Sequence, residues 1–525
     1  MTPIMERFEQ LATQSTEQVL LSGGDARLIL DPKTGVNKYG CGSRPDPGLV
    51  AFGSSTGSTI STRGYAAAAA LHQQLLHEDN TLSESELYRH ELERIRLELN
   101  QLCGLSVHTD VASVFAASGT DLHLICAQLV AGNLPGNHPN TPPLHIIMME
   151  ASETGSGVAP AVRCQHFSDN AALGGKVTAF GTIDGAHPIQ VSSIGLRLPN
   201  GAKRPIADID VEVDKLVQIS LAAHQRVLLI MIDVSKTGLI APSPAYVASL
   251  RQQYPEQIDV LIDACQFRIA NTTLNAYLRL GCMVALTGSK FLTGPVFSGV
   301  LLIPPNLIPR LSRQRLPPAL AGYSAQAEWP MHKHTRWQAA RHLSEAINWG
   351  LLLRLEAALA ELRAFRAIPE ADIVQFLTQF SNTMQAAING SPHFELMAES
   401  KLSRAPISTE SSWDQIPTIF PFLLLHRPGV PITREQTQLI YKQLQFPIPH
   451  RPGDTIAPHL AALRCQLGQP VLCGHQYGQD VSALRMCASS RVIIEACENG
   501  TTSIDVVIRR ALSVFEKAAY LIQNL

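Results

Sequence analysis

Five short apolar runs punctuate the middle of this chain: HIIMME (145–150), VLLIMID (227–233), VLIDA (260–264), MVALTG (283–288) and SGVLLIP (298–304). None alternates polar with apolar residues, and none is long enough for a core helix, so they read as strands buried on both faces. Helical patterns lie between and before them. Leu122, Ile125, Leu129 and Val130 follow an i, i+3, i+7, i+8 spacing after a cap-like Thr120, and Gly132 ends the run. In SESELYRHELERIRLELNQL (83–102), Leu87, Leu92, Ile95 and Leu99 make the apolar stripe, and the charges read as a solvated face. Such alternation predicts an α/β fold, a mainly parallel sheet with helices on both faces.

Past residue 350 the pattern changes. LLLRLEAALAELRAF (351–365) reads as an amphipathic helix leading out of the first domain, and IFPFLLLH (419–426) as a strand. Ile504, Val507, Ile508, Ala511 and Phe515 form the buried stripe of a terminal helix. The expected division is an N-terminal segment (1–60), a large α/β domain (61–350) and a small C-terminal α+β domain (351–525). PGNHPNTPP (135–143) is a surface connection, and no internal repeat occurs.

Composition narrows the function classes. A net charge of −2 over 525 residues argues against a nucleic-acid or anionic-membrane partner. No apolar run reaches the roughly 18 residues of a membrane span. The opening MTPIMERFEQLATQSTEQ lacks the basic-then-apolar order of a signal peptide, and ten cysteines without CxxC pairs read as reduced core residues. A cytoplasmic protein is expected.

The chemistry clusters where strands end, which is where open α/β sheets bind ligands. SGT (Ser118, Gly119, Thr120) opens a helix with free amides, a phosphate cradle. Asp263, Ala264, Cys265 and Gln266 follow one strand, and Thr287, Gly288, Ser289 and Lys290 follow the next, with Lys290 set among small and hydroxylated residues. A desolvated lysine can be the free amine that forms Schiff bases, and a strand-end carboxylate can keep a pyridinium protonated. Cradle, carboxylate and lysine together are what pyridoxal 5′-phosphate needs.

These segments resemble the fold-type I pyridoxal-phosphate enzymes, within them the class V aminotransferase and cysteine desulfurase group. That family carries Asp-x-x-Gln on one strand and Ser/Thr-x-His-Lys on the next, followed by Gly-Pro and a small-residue strand. Here these are Asp263…Gln266, Thr287…Lys290 and Gly294-Pro295, with Asp263 and Lys290 27 residues apart. The resemblance implies that Lys290 forms the Schiff base and shuttles the substrate α-proton, that Asp263 pairs with the ring nitrogen, and that Gln266 bonds the phenolic oxygen. Ser118, Gly119, Thr120, Thr287 and Ser289 would hold the phosphate. Ser235, in DVSKTG (233–238), would touch the cofactor, and Arg485, in SALRMCAS (482–489), would clamp the substrate carboxylate, with a structural salt bridge as its alternative.

Two departures stand out. Ser289 replaces the family's histidine beside the lysine, and MEASETGSG (149–157) has no aromatic to stack on the ring, leaving Ser152, Glu153 or Thr154 to cover it. Amino-group transfer is the leading reading. A lyase or a cysteine desulfurase using Cys473, 12 residues before Arg485, is the alternative, and a non-catalytic binding protein that kept the fold is the second. The histidines of MHKHTRW (331–337) read as a loop or dimer contact, and no metal is expected. The resemblance also implies a homodimer, in which residues 53–65, with Arg63 and Tyr65, would approach the neighbour's cofactor phosphate.

Overall fold

A computed structural model describes residues 9–77, 82–105, 110–132, 143–186, 189–331, 336–397, 401–449, 455–476, 478–498 and 501–525. The first strand, β1 (Leu49–Phe52), precedes two helices, α1 (Thr62–His77) and α2 (Glu84–Leu102). The central sheet follows as β2 (Ala112–Ala116), β3 (Leu144–Met149), β4 (Gln190–Ile194), β5 (Arg226–Ile232), β6 (Ile258–Asp263), β7 (Met283–Thr287) and β8 (Gly299–Ile303). Its order is β2-β8-β7-β6-β5-β3-β4, and β8 runs antiparallel to both of its neighbours. The pairs β3–β4, β3–β5, β5–β6 and β6–β7 are parallel. Every residue of β3, β6 and β7 is buried, as continuous apolar runs require. The five expected strands therefore form, with ends shifted by a residue or two.

Helix α2 starts at a Ser83–Glu86 capping box, and Leu87, Leu92, Ile95 and Leu99 are buried as expected. Helix α3 (Gly119–Ala131) is capped by Ser118, whose Oγ accepts from the Asp121 amide; Thr120 lies inside the helix, so the cap sits two residues earlier than the spacing implied. Helix α4 (Trp349–Arg366) is also unlike its expectation. It is buried on all sides, with 15 of its 18 residues inside, so it is a central strut. Two of its buried charges are satisfied internally: Arg354 donates to the carbonyls of Phe297, Leu20 and Gly23 at 2.7, 2.8 and 2.6 Å, and Glu356 accepts from Arg94 and Arg363 at 2.6 and 3.0 Å. The 350/351 boundary falls inside this helix.

A second sheet contains β9 (Phe394–Leu396), β10 (Ile419–Arg427), β11 (Val430–Pro431), β12 (Arg464–Gln476) and β13 (Gln479–Cys487), in the order β1-β12-β13-β10-β11 with β9 on β10. Strand β1 pairs parallel with β12, so the N-terminal segment is built into the C-terminal sheet. Buried arginines tie the two sheets together. Arg404 grips Asp233, after β5, with two 2.7 Å bonds, and Arg268, after β6, donates to Thr418 Oγ1 and the Ala488 carbonyl at 2.8 and 2.7 Å. Helix α5 (Ser490–Cys497) and helix α6 (Thr501–Gln523) close the chain, and Ile504, Val507, Ile508, Ala511 and Phe515 are buried in α6. No described helix is long and apolar enough to cross a membrane.

Candidate active site

Parallel strands deliver their carboxyl ends to one edge, and a cavity of about 600 Å³ opens there between the central sheet, the N-terminal segment and β12–β13. Ser118, Gly119, Thr120, Asp263, Thr287, Ser289, Lys290 and Arg485 all line it.

The Ser118–Thr120 turn is pressed hard onto the loops after β6 and β7. A Cβ on Gly119 would lie 2.9 Å from Cys265 Sγ and 3.3 Å from Thr287 Cγ2, so only glycine lets the helix start come this close. Sequence reasoning missed the guanidinium beside it. Arg27 donates to Thr120 Oγ1 and to Ser118 Oγ, each at 3.1 Å, and lies 4.6 Å over the Phe297 ring. Asp25 holds it with bonds of 2.8 and 2.9 Å from Nε. Burial opposes its charge, but the Asp25 carboxylate prevails and raises its pKa further. Lys38 also lines the cavity, close enough to Arg27 that its amine is pushed down, by burial first and then by that charge. Beneath the turn, burial lifts the Asp121 carboxyl to about 6.

Asp263 closes β6 at the cavity floor. Its Oδ1 accepts from the Cys265 amide at 3.2 Å, and its Oδ2 lies 3.4 Å from His123 Nε2. Burial would raise this carboxyl, yet His123 first and Lys290 second hold it well below the usual carboxylate range. The same contact works on His123: burial opposes its charge, but Asp263 raises its pKa. His123 Nδ1 lies 2.7 Å from the Gly119 carbonyl, while Nε2 is buried without an aligned hydrogen-bond partner. This histidine also escaped the sequence reading. Its signal was a polar side chain inside the apolar run LHLICAQLV, one turn after the SGT motif.

Lys290 stands in the turn after β7, with Ser289 and Thr287 beside it. Glycines set that turn. A Cβ on Gly288 would fall 2.4 Å from Ala358 Cβ, and one on Gly294 2.8 Å from the same atom, so the lysine's loop packs directly on α4. Arg485 reaches the cavity from β13, buried, donating to Thr56 Oγ1 at 2.7 Å and to the Lys236 carbonyl at 3.3 Å. Its Nε is buried and unpartnered. No ion pair holds this guanidinium among the described residues; its partners there are the Thr56 hydroxyl and backbone carbonyls.

Several expectations are corrected. Gln266 does not face the cavity: its Nε2 donates to the Ser55 carbonyl at 3.0 Å, and Cys265 lines the wall in its place. Ser235 turns inward and donates to Glu153 at 2.7 Å, so the neighbouring Lys236 takes the cavity position. Glu153 is itself buried against Arg197 at 2.9 Å, leaving Ser152 and Thr154 from that loop on the wall. Cys473 sits in β12 within a small apolar cluster and does not itself line the cavity, although Val471 and Leu472 do, and burial pushes its thiol up to about 11. A nucleophilic thiolate is therefore not supplied by this residue. In the 53–65 segment, Ser55 and Thr56 line the cavity of their own chain, while Arg63 pairs with Glu498 at 3.3 Å and Tyr65 donates to Glu17 at 2.7 Å. His332 and His334 of MHKHTRW lie outside the described residues.

No family model and no curated protein matches this sequence. Solved structures do. The cysteine desulfurase CsdA from Escherichia coli aligns over 89% of this chain and 95% of its own, with TM-score 0.50 and 13% identity. A lysine-to-alanine mutant of C-DES, with glycine covalently linked to its pyridoxal-phosphate cofactor, aligns over 89% and 99%, with TM-score 0.50 and 14% identity. The chain has the α/β fold of the fold-type I pyridoxal-phosphate enzymes, the architecture its strand-end motifs resemble.

Proposed function

We propose that this chain is a pyridoxal-phosphate-dependent enzyme that acts on an amino acid through Lys290. The observation that carries the reading is convergence: an amine, a carboxylate kept ionised and an anion cradle meet in one cavity. The unpartnered Nε of Arg485, the tight Gly119 turn and the charged floor fit the group's carboxylate-bearing substrate, its phosphate and its ring nitrogen respectively. The phosphate would be held by the Ser118–Thr120 amides with Arg27, and the ring nitrogen by Asp263.

When bound, pyridoxal phosphate supplies an electron sink for a carbanion beside the substrate nitrogen. The chain's residues do the rest. Asp263 keeps a negative charge at neutral pH because His123 and Lys290 favour it, so it can hold a cationic ring nitrogen. His123, which lines the same cavity, holds that carboxylate by its charge. Lys290, which lines the cavity, would take a proton from the substrate α-carbon and return it. Arg485 would orient the α-carboxylate, and Ser152 and Thr154 also line the wall.

Amino-group transfer and elimination both need only this set. Because Cys473 is buried, a reaction that passes through a protein thiol at that position is disfavoured. The test is reconstitution with pyridoxal phosphate, borohydride reduction and peptide mass spectrometry. The label should fall on Lys290 and vanish in Lys290→Ala. Assays of single amino acids, with and without a keto-acid acceptor, then separate transfer from elimination. A chain that binds no pyridoxal phosphate would make it a binding protein.

A further inference from the structure

Resting on that reading, we propose that the substrate carries two anionic groups, one held by Arg485 and the second by Lys236. The inference comes from the distribution of charge around the cavity. Of the side chains lining it, Arg27, Lys38, Lys236, Lys290 and Arg485 are cationic, and Asp263 is the carboxylate, paired with the His123 imidazole that also lines the cavity. Arg27 is committed to Asp25 and the cradle. Lys38 lies on the same side, coupled to Arg27 and Asp25, where the phosphate belongs. Lys290 is reserved for the cofactor. Two cations therefore remain on the substrate side, and a single α-carboxylate answers only one of them.

Lys236 is built into this position. It follows the loop after β5, its Nζ donates to the carbonyls of Ser152 and Ala151 at 3.0 and 3.3 Å, and its third donor is left over. Its backbone carbonyl accepts from Arg485, and both side chains line the same cavity. Their nearest carboxylates are spent: Glu153 on Arg197, Ser235 and Thr237, and Asp263 on His123. Burial first, then the charges of Arg485 and Lys290, push the Lys236 amine down to about 8. Two neighbouring cations without a carboxylate between them are costly when desolvated, and an anion entering the cavity relieves that cost. The chemistry accommodated is a short dicarboxylic amino acid, or one whose far end is a sulfonate or phosphate.

The experiment uses the protein loaded with pyridoxal phosphate and titrates it by calorimetry with succinate, with its monoamide succinamate, and with the sulfonate analogue 3-sulfopropionate. Succinate and 3-sulfopropionate should bind about tenfold or more tighter than succinamate, the value of one hydrogen bond to a charged group. The preference should disappear in Lys236→Gln and persist in Lys236→Arg, which keeps the charge and controls for folding. Equal affinities for succinate and succinamate in the loaded wild type, or an unchanged preference in Lys236→Gln, would overturn the inference and leave the site reading intact. A wild-type chain that takes up no pyridoxal phosphate would instead overturn the site reading and this inference with it.

Discussion

The Asp263–His123 contact makes a prediction whose sign reverses with pH. Both groups are buried and lie 3.4 Å apart, so removing either leaves the other without its counter-charge. The orphan can then escape by changing protonation, and the cost of that escape depends on pH. In His123→Gln, Asp263 must stay charged in a dry site or take up a proton. From a reference near 3.9, protonation costs about 4 kcal/mol at pH 7 and about 5.6 kcal/mol at pH 8, but only about 1.5 kcal/mol at pH 5. These are upper limits, since Lys290 and the Cys265 amide still face the carboxylate. In Asp263→Asn, His123 need only lose a proton. From a reference near 6.5 that costs nothing at pH 8 and about 2 kcal/mol at pH 5, plus about 1 kcal/mol for the lost contact.

Linkage in the wild type agrees. The folded Asp263 pKa is depressed, so its contribution is present above the unfolded value and lost as pH falls through the folded one. The folded His123 pKa is raised, so its contribution is complete below about 6.5 and lost as pH rises past the folded value. The pair therefore stabilises most between these limits. Urea unfolding of the cofactor-free protein at pH 5 and pH 8 should show His123→Gln as the worse variant at pH 8 and Asp263→Asn as the worse at pH 5. If one variant were worse at both pH values by the same margin, the two groups would not form an ion pair.

Further outcomes follow from the same geometry. Gly119→Ala should weaken pyridoxal-phosphate binding at least tenfold in equilibrium titration and cost about 1–3 kcal/mol of stability, because its Cβ would meet Cys265 Sγ at 2.9 Å. Asp121→Asn should raise the urea midpoint at pH 8 more than at pH 5: a folded pKa raised from 3.8 to about 6 is a stability loss that builds between those values and is complete only above the higher one. Cys473→Ala should leave turnover within about twofold while lowering stability by roughly 1 kcal/mol, measured by steady-state assay and thermal melt. We also expect pairing of two copies, so light scattering should report about twice the 57.0 kDa chain mass.

What the sequence reveals and what it hides can be traced to individual backbone positions. Asp263, Thr287 and Lys290 were legible because strands have a period of two and an end, and ligand-facing residues collect at that end. The errors begin where the backbone leaves that rule. Val234 has φ +63°, a left-handed conformation rare for a β-branched residue, and it rotates the following loop so that Lys236 rather than Ser235 faces the cavity. Phe267 has φ +56°, and beside it Cys265 lines the wall while the Gln266 amide turns back to Ser55. In β12 alternation gives no warning about Cys473: Val471 and Leu472 both line the cavity where the register shifts, while Cys473 packs with Val471 in an apolar cluster. Arg27 was illegible for another reason. It meets Thr120 across 93 residues of chain, and nothing local marks it beyond an Asp two positions earlier. Local periodicity therefore locates the strand ends that line the cavity, whereas the cavity positions of Lys236, Cys265 and Arg27 are set by left-handed turns and by long-range packing onto α3.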